Sequence, residues 1–318
     1  MPSPRRANKT IFFLAIYMIV ANILISIVVG LIIPQANLFL IMGVFYIVGL
    51  LLPFLLFLLV TKQNIKSVLE WKGLSVKNSL LVIALSIAIL PMVQIIYYLS
   101  SFVFVSVVQD FSYVVALAPL WVVILIVGVF PAIFEEIWFR GALFKEYRTG
   151  GVSIHKVAII TGLFFGLMHL NFNQAIYAAC IGILYAYVLY YTRSILAPML
   201  AHFFNNSFSA VLARSEAYLN WNHNLHENPL TFLLTMGVAS AVMIPVVVIC
   251  MKQFMNHYTA IEPKGELIAE TNAEGAGTKL LTWGFWAALA VFLVAAAIME
   301  FGLRIMAYAQ YCRYCQCY

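Results

Sequence analysis

Apolar residues in this chain run in long blocks separated by short polar segments. They lack the alternation of polar and apolar positions that marks the strands of a membrane barrel. About 20 consecutive apolar residues suffice for a helix to cross a bilayer. Nine stretches meet that pattern: roughly 11–33, 38–60, 79–104, 113–135, 156–171, 174–192, 195–213, 230–251 and 280–303. The first follows Arg5, Arg6 and Lys9, but its apolar run is too long for a signal peptide and has no small-residue cleavage site, so it reads as an anchor. The predicted fold is all-α, a polytopic transmembrane bundle of about eight core helices plus one appended C-terminal helix.

The polar segments suggest an orientation. With the N-terminus inside, 15 of the 18 basic residues fall on one side of the membrane, among them Arg140, Lys264 and Lys279. Only Arg214, Arg304 and Arg313 fall on the other. That bias predicts a cytoplasmic N-terminus and an external C-terminus. Residues 263–279, with three Glu, two Lys and three Gly, read as a linker. The chain therefore divides into a body (1–260), a linker (261–279) and a C-terminal helix with a Cys-rich tail (280–318). No internal repeat of the kind common in transporters is visible.

Composition narrows the class. Of 318 residues 64% are hydrophobic and only 9% charged, against about 25% charged in soluble domains, which excludes a soluble enzyme. The net charge of +6 forms no contiguous basic face, so nucleic acid is not an expected partner. The chain reads as an integral membrane protein.

Ionisable and amide side chains within spans are costly and mark function by default. Glu135-Glu136 and Arg140 lie at the end of the fourth span; Glu136 and Arg140, four apart, share a face and can pair. Glu135 points about 100° away and lacks a local partner. Phe165 and His169 are four apart in the fifth span, His202 and Asn206 four apart in the seventh. Each cluster alone has a plainer reading: a helix-end ion pair, a hydrogen-bonded core histidine, interhelical polar glue. The turn at Gly150-Gly151 adds weight, because Glu135 stands 15 residues before it and His169 18 after. An antiparallel pair brings them level, at roughly 22–27 Å from the turn. Hydropathy alone places Glu135 nearer the membrane edge. A fourth helix continuing past Arg140, with the Glu136–Arg140 pair partly buried, resolves that tension.

A carboxylate, two histidines and an amide suit peptide hydrolysis by activated water. Glu135 serves as general base, with His169 holding and polarising the water. His202 and Asn206 donate to the oxyanion, and Glu136, Arg140 and Phe165 support them. Glu135, His169 and His202 also match a two-His, one-carboxylate zinc set. The H-E-x-x-H pattern is absent, however, and Asn206 suits an oxyanion pair better, so no metal or other cofactor is expected. There is no G-x-S-x-G. Cys180 and Cys250 read as core residues, while Cys312, Cys315 and Cys317 carry no expected catalytic role.

The order Glu-Glu-x-x-x-Arg, Phe-x-x-x-His, His-x-x-x-Asn on successive spans resembles the CPBP family, the CAAX proteases and bacteriocin-processing enzymes also called the Abi family. Glu135-Glu136 and Arg140, Phe165 and His169, and His202 and Asn206 carry the resemblance, within a motif core of 113–213. It implies a glutamate-dependent intramembrane endopeptidase of about eight helices. Its partners would be the bilayer and a membrane-associated peptide or protein, prenylated or unmodified, CAAX-like or a leader peptide. The resemblance assigns water to Glu135 and His169 and the oxyanion to His202 and Asn206. The competing classes are a non-catalytic immunity or regulatory protein of the same fold, and a proton-coupled transporter. The last span and its tail are not explained by the motifs.

Overall fold

The computed structural model describes residues 3–33, 37–106, 114–261 and 280–315. Among the described residues, nine principal helices correspond one to one with the nine apolar stretches. They are α1 (Pro4–Ile32), α2 (Leu38–Thr61), α3 (Val76–Ser101), α4 (Leu120–Thr149), α5 (Ile154–Leu167), α6 (Phe172–Thr192), α7 (Leu196–Leu212), α8 (Pro229–Ile261) and α9 (Trp283–Cys315). No strand occurs among the described residues. The protein is an all-α polytopic helix bundle. Beyond Ile261, which ends α8, the expected 261–279 linker lies outside the described residues, as do Cys317 and the side chains of Cys312 and Cys315.

Side-chain caps set several boundaries. The Ser3, Asn37 and Asn171 side chains accept from the Arg6, Leu40 and Gln174 amides and open α1, α2 and α6. Lys62 and Arg193 adopt left-handed φ of 53° and 54° and close α2 and α6.

Seven of the nine helices are long and apolar enough to cross a membrane, rather than nine. The exceptions are α5, with 14 residues, and α7, with 17. At 1.5 Å per residue, α5 covers about 21 Å, short of the roughly 30 Å hydrocarbon core. These helices carry His169 at the C-terminal end of one and His202, Asn205 and Asn206 within the other. Helices too short to span are tolerated at membrane depth where other helices surround them. The fourth element also differs from its expected bounds of 113–135: α4 continues to Thr149, and Arg140, counted above among the loop cations, is only 2% exposed.

Hairpin α5–α6 packs at the centre of the bundle, held by small residues. A Cβ on Gly162 would lie 2.6 Å from the Ile183 side chain and 2.9 Å from the Ala179 carbonyl oxygen. A Cβ on Gly166 would collide with the Ala175 carbonyl and approach the Ala179 amide to 2.9 Å. Such close backbone contact is how helices associate where both sides are apolar. Gly166→Ala gains helix propensity but loses more by overpacking, so thermal melting in detergent should show a loss of about 1–3 kcal/mol. Around this hairpin, α1 packs along α9, and α3 lies against α7 and α8. Phe285 and Phe292 of α9 are buried, 5.3 and 6.1 Å from the Phe164 ring of α5. Cys250 is buried as expected, whereas Cys180 is exposed on the outer face of α6, where it contributes nothing to the core.

The loops gather at two ends. At one, buried Glu146 accepts from Arg6 Nε at 2.8 Å and Gln63 Nε2 at 2.6 Å. There Asn8 also accepts from Tyr147 and donates to the Leu280 carbonyl. At the other, Asn171, Val105, Glu300 and Arg304 meet. This grouping separates the loops as the basic residues do.

Candidate active site

Near its middle α4 departs from regular α-helical bonding twice, through wider π turns at Ile124–Val129 and Ile137–Leu143, and α2 has one at Tyr46–Leu51. Wider turns of this kind are frequent at functional sites, because they release backbone carbonyls and re-aim side chains. Pro131 lacks the N–H that would bond the Val127 carbonyl four residues earlier. That carbonyl accepts instead from Asn206 Nδ2 at 3.0 Å. In α2, the Leu50 carbonyl accepts from Trp138 Nε1 at 2.8 Å, joining α2 to α4 beside the carboxylates.

Glu136 and Arg140 pair along α4, Nη1 to Oε1 at 3.2 Å, with both side chains fully buried. Arg140 also donates from Nη2 to the Gly182 carbonyl at 2.9 Å, and its guanidinium lies 4.4 Å from the centre of the Phe165 ring. A Cβ on Gly182 would stand 3.2 Å from that Nη2, so glycine leaves the guanidinium its path to the carbonyl.

The same Glu136 oxygen lies 2.8 Å from His202 Nδ1. Arg140, Glu136 and His202 therefore form a continuous buried chain from α4 to α7. His202 Nε2 lies on the opposite edge of the ring, 4.0 Å from Glu135 Oε2. That oxygen is buried without a hydrogen-bond partner. Both His202 and His169 are close enough to act on Glu135 electrostatically.

His169 sits where α5 ends. Its Nδ1 lies 3.0 Å from the Phe165 carbonyl and 3.2 Å from that of Gly166. Carbonyls only accept, so Nδ1 carries a hydrogen, and Nε2 is the nitrogen left unprotonated in the neutral tautomer of His169. Phe165 meets both imidazoles edge-on, at 5.5 Å from His169 and 5.7 Å from His202. It thus holds the two rings apart while supporting Arg140 on its face. Among the described residues, no three His, Cys, Asp or Glu side chains converge at metal-binding spacing.

Five of the other six residues singled out in the sequence thus gather around Glu135. Asn206 stands one turn beyond His202, one amide hydrogen committed to Val127 and the other uncommitted. Sequence reasoning missed Tyr46, Tyr185 and Asn205. Buried Tyr46 faces the Glu135 carboxyl from the start of the α2 π turn, its ring stacked on Phe134 with centroids 6.2 Å apart. Its signal was a tyrosine midway through an apolar span, seven residues before Pro53. Tyr185 accepts from Asn205 Nδ2 at 2.8 Å and closes the back of the His202 ring, with centroids 5.9 Å apart.

Residues 117–208 match the family described as type II CAAX prenyl endopeptidase Rce1-like. The match spans α4 to α7 and contains all seven motif residues. It bears out the resemblance to the CPBP family and supports a membrane-embedded protease. No curated protein and no solved structure matches the chain.

Proposed function

We propose that this chain, which carries the Rce1-like sequence over 117–208, is an intramembrane endopeptidase of the glutamate-dependent kind. The observation that carries the reading is the partnerless, buried Glu135 oxygen facing His202 Nε2, in a site whose other charges are already paired.

Water binds between Glu135 and the unprotonated Nε2 of His169. Glu135 takes a proton as the water oxygen attacks the scissile carbonyl carbon. The tetrahedral oxyanion accepts hydrogen bonds from His202 Nε2–H and from the uncommitted Asn206 hydrogen. His202 offers that donor as an imidazolium, with Glu136 balancing its charge. When the C–N bond breaks, Glu135 passes its proton to the departing amine, and a carboxylic acid and an amine leave. With two carboxylates against one guanidinium, a single proton on the Glu135–His202 side makes the cluster neutral, which suits a low-dielectric setting.

The substrate is a peptide or protein held at the membrane, lipidated CAAX-like or leader-type. The protein lies in the plasma membrane of a prokaryote with α1 entering from the cytoplasm, so the Glu146 end faces inward and the Glu300 end outward. Hydrolysis proceeds without a metal.

Cleavage of a quenched fluorescent peptide panel, prenylated and unmodified, tests the reading in purified protein. Cleavage should survive a chelator. Asn206→Ala should lower turnover by about 10²–10³, as expected for losing one oxyanion donor. Loss of cleavage with chelator and recovery with zinc would replace the water-activation scheme with a metal one. Absence of cleavage from the whole panel, in folded protein, would favour a binding role.

A further inference from the structure

The last helix lies outside the stretch matched to the protease family, yet it places a buried acid in a membrane-spanning segment. Glu300 of α9 is 9% exposed. An acid there carries an energetic penalty and calls for a named partner. Its partners are two. Arg304, one turn on, donates from Nε to Oε1 at 2.8 Å. The second is the backbone amide of Val105, in the non-helical segment after α3, at 3.1 and 3.2 Å from the two carboxylate oxygens. Arg304 Nη2 also donates to the Val103 carbonyl at 2.5 Å. One acid–base pair on α9 thus holds three residues of irregular backbone.

Val105 is engaged through its second main-chain polar group as well. Its carbonyl accepts from Asn171 Nδ2 at 2.8 Å. Asn171 lies two residues after His169 and caps α6 with its oxygen, 3.0 Å from the Gln174 amide. Between them, Leu170 is left-handed at φ 53°, a conformation that a branched-chain residue rarely holds unless its flanks are pinned. The flank before it is the end of α5, where the His169 ring bonds back to Phe165. The flank after it is Asn171. The position of His169 therefore depends on where Asn171 is held, and Asn171 is held through Val105 by Glu300.

We infer that Glu300 is a positioning residue for the active site, acting through the Val105 amide and Asn171 to fix the turn that carries His169. This role belongs to α9, so the last helix forms part of the catalytic apparatus as well as of the packing. The inference rests on the proposed role of His169 for its kinetic consequence, but not for its structural one.

Two readouts separate these. The full chain, with ¹³C-labelled histidine and in detergent, gives an imidazole resonance for His169, assigned by its loss in His169→Gln. Glu300→Ala should shift that resonance and leave those of His155 and His257 in place. Where peptide is cleaved, Glu300→Ala should lower kcat on the order of tenfold with KM little changed, the scale of coupling through a packed network. Glu300→Gln keeps an oxygen for the Val105 amide and should restore most of both. Asn171→Ser keeps a capping oxygen, but its shorter side chain cannot carry a donor to where Asn171 Nδ2 meets the Val105 carbonyl, so it should reproduce the Glu300→Ala shift. The double variant should be no worse than either single one, because both break one path.

An unmoved His169 resonance in folded Glu300→Ala overturns the inference. So do effects of the two substitutions that multiply in the double variant. If no variant, wild type included, cleaves any peptide, the protease reading fails while the resonance still decides the positioning role.

Discussion

Glu135→Gln should abolish peptide cleavage, with turnover reduced by about 10²–10⁴, while the protein melts at the same temperature or higher. The first half follows from the role proposed for the carboxylate. An amide of the same shape cannot accept a proton from water, and the general-base contribution is lost. The second half follows from its surroundings. Glu135 Oε2 is buried without a hydrogen-bond partner, and the nearest imidazole nitrogen to it lies 4.0 Å away. A group in that state does little for folding, and removing its charge from an apolar interior relieves strain that the wild-type chain retains for chemistry. Paired measurement of cleavage and thermal melting separates this from a structural role. Substantial cleavage by Glu135→Gln would remove Glu135 as the base; a large drop in melting temperature would make it a structural acid.

The contrast between Glu135 and its neighbours also shows what a single sequence can reveal. The helices were legible because a bilayer admits few solutions, and blocks of apolar residues mark each one. The Glu136–Arg140 pair was legible because helical spacing alone puts residues four apart on one face. His169 and His202 stood out because polar residues are rare in such runs. The lengths of α5 and α7 were less legible. Hydropathy counts apolar residues, and it cannot tell a helix facing lipid from one enclosed by other helices.

Least legible was the three-way sharing of Glu136 among Arg140, His202 and, through Arg140, the Gly182 carbonyl. That arrangement depends on the register of α5 against α6, where Gly162, Gly166 and Gly182 let the backbones approach, and on the π turn of α4 beginning at Ile137. Neither glycine spacing nor an extra residue in a helical turn declares its partner in the chain. Tyr46 escaped for the same reason: it reaches Glu135 from a helix some ninety positions away.

Glu136→Ala should be the most destabilising single substitution in the site, at about 3–5 kcal/mol by denaturation in detergent, because it leaves a buried guanidinium without its carboxylate. Arg140 would retain the Gly182 carbonyl and the Phe165 ring face, but neither carries compensating charge. Stability and chemistry can then be separated with one more variant. Replacing the ion pair by apolar side chains of similar volume, Glu136→Leu with Arg140→Met, removes both buried charges together. Such exchanges are often neutral or stabilising, so the double variant should recover most of the stability lost in Glu136→Ala. It should not recover cleavage. His202 Nδ1 would have no acceptor at 2.8 Å, and nothing would orient the ring or balance the imidazolium that the oxyanion requires. A double variant that is both stable and active would mean that Glu136 serves only to neutralise Arg140. A stable, inactive one assigns Glu136 to the histidine as well, and makes the pairing of Glu136 with His202, rather than with Arg140, the interaction on which turnover depends.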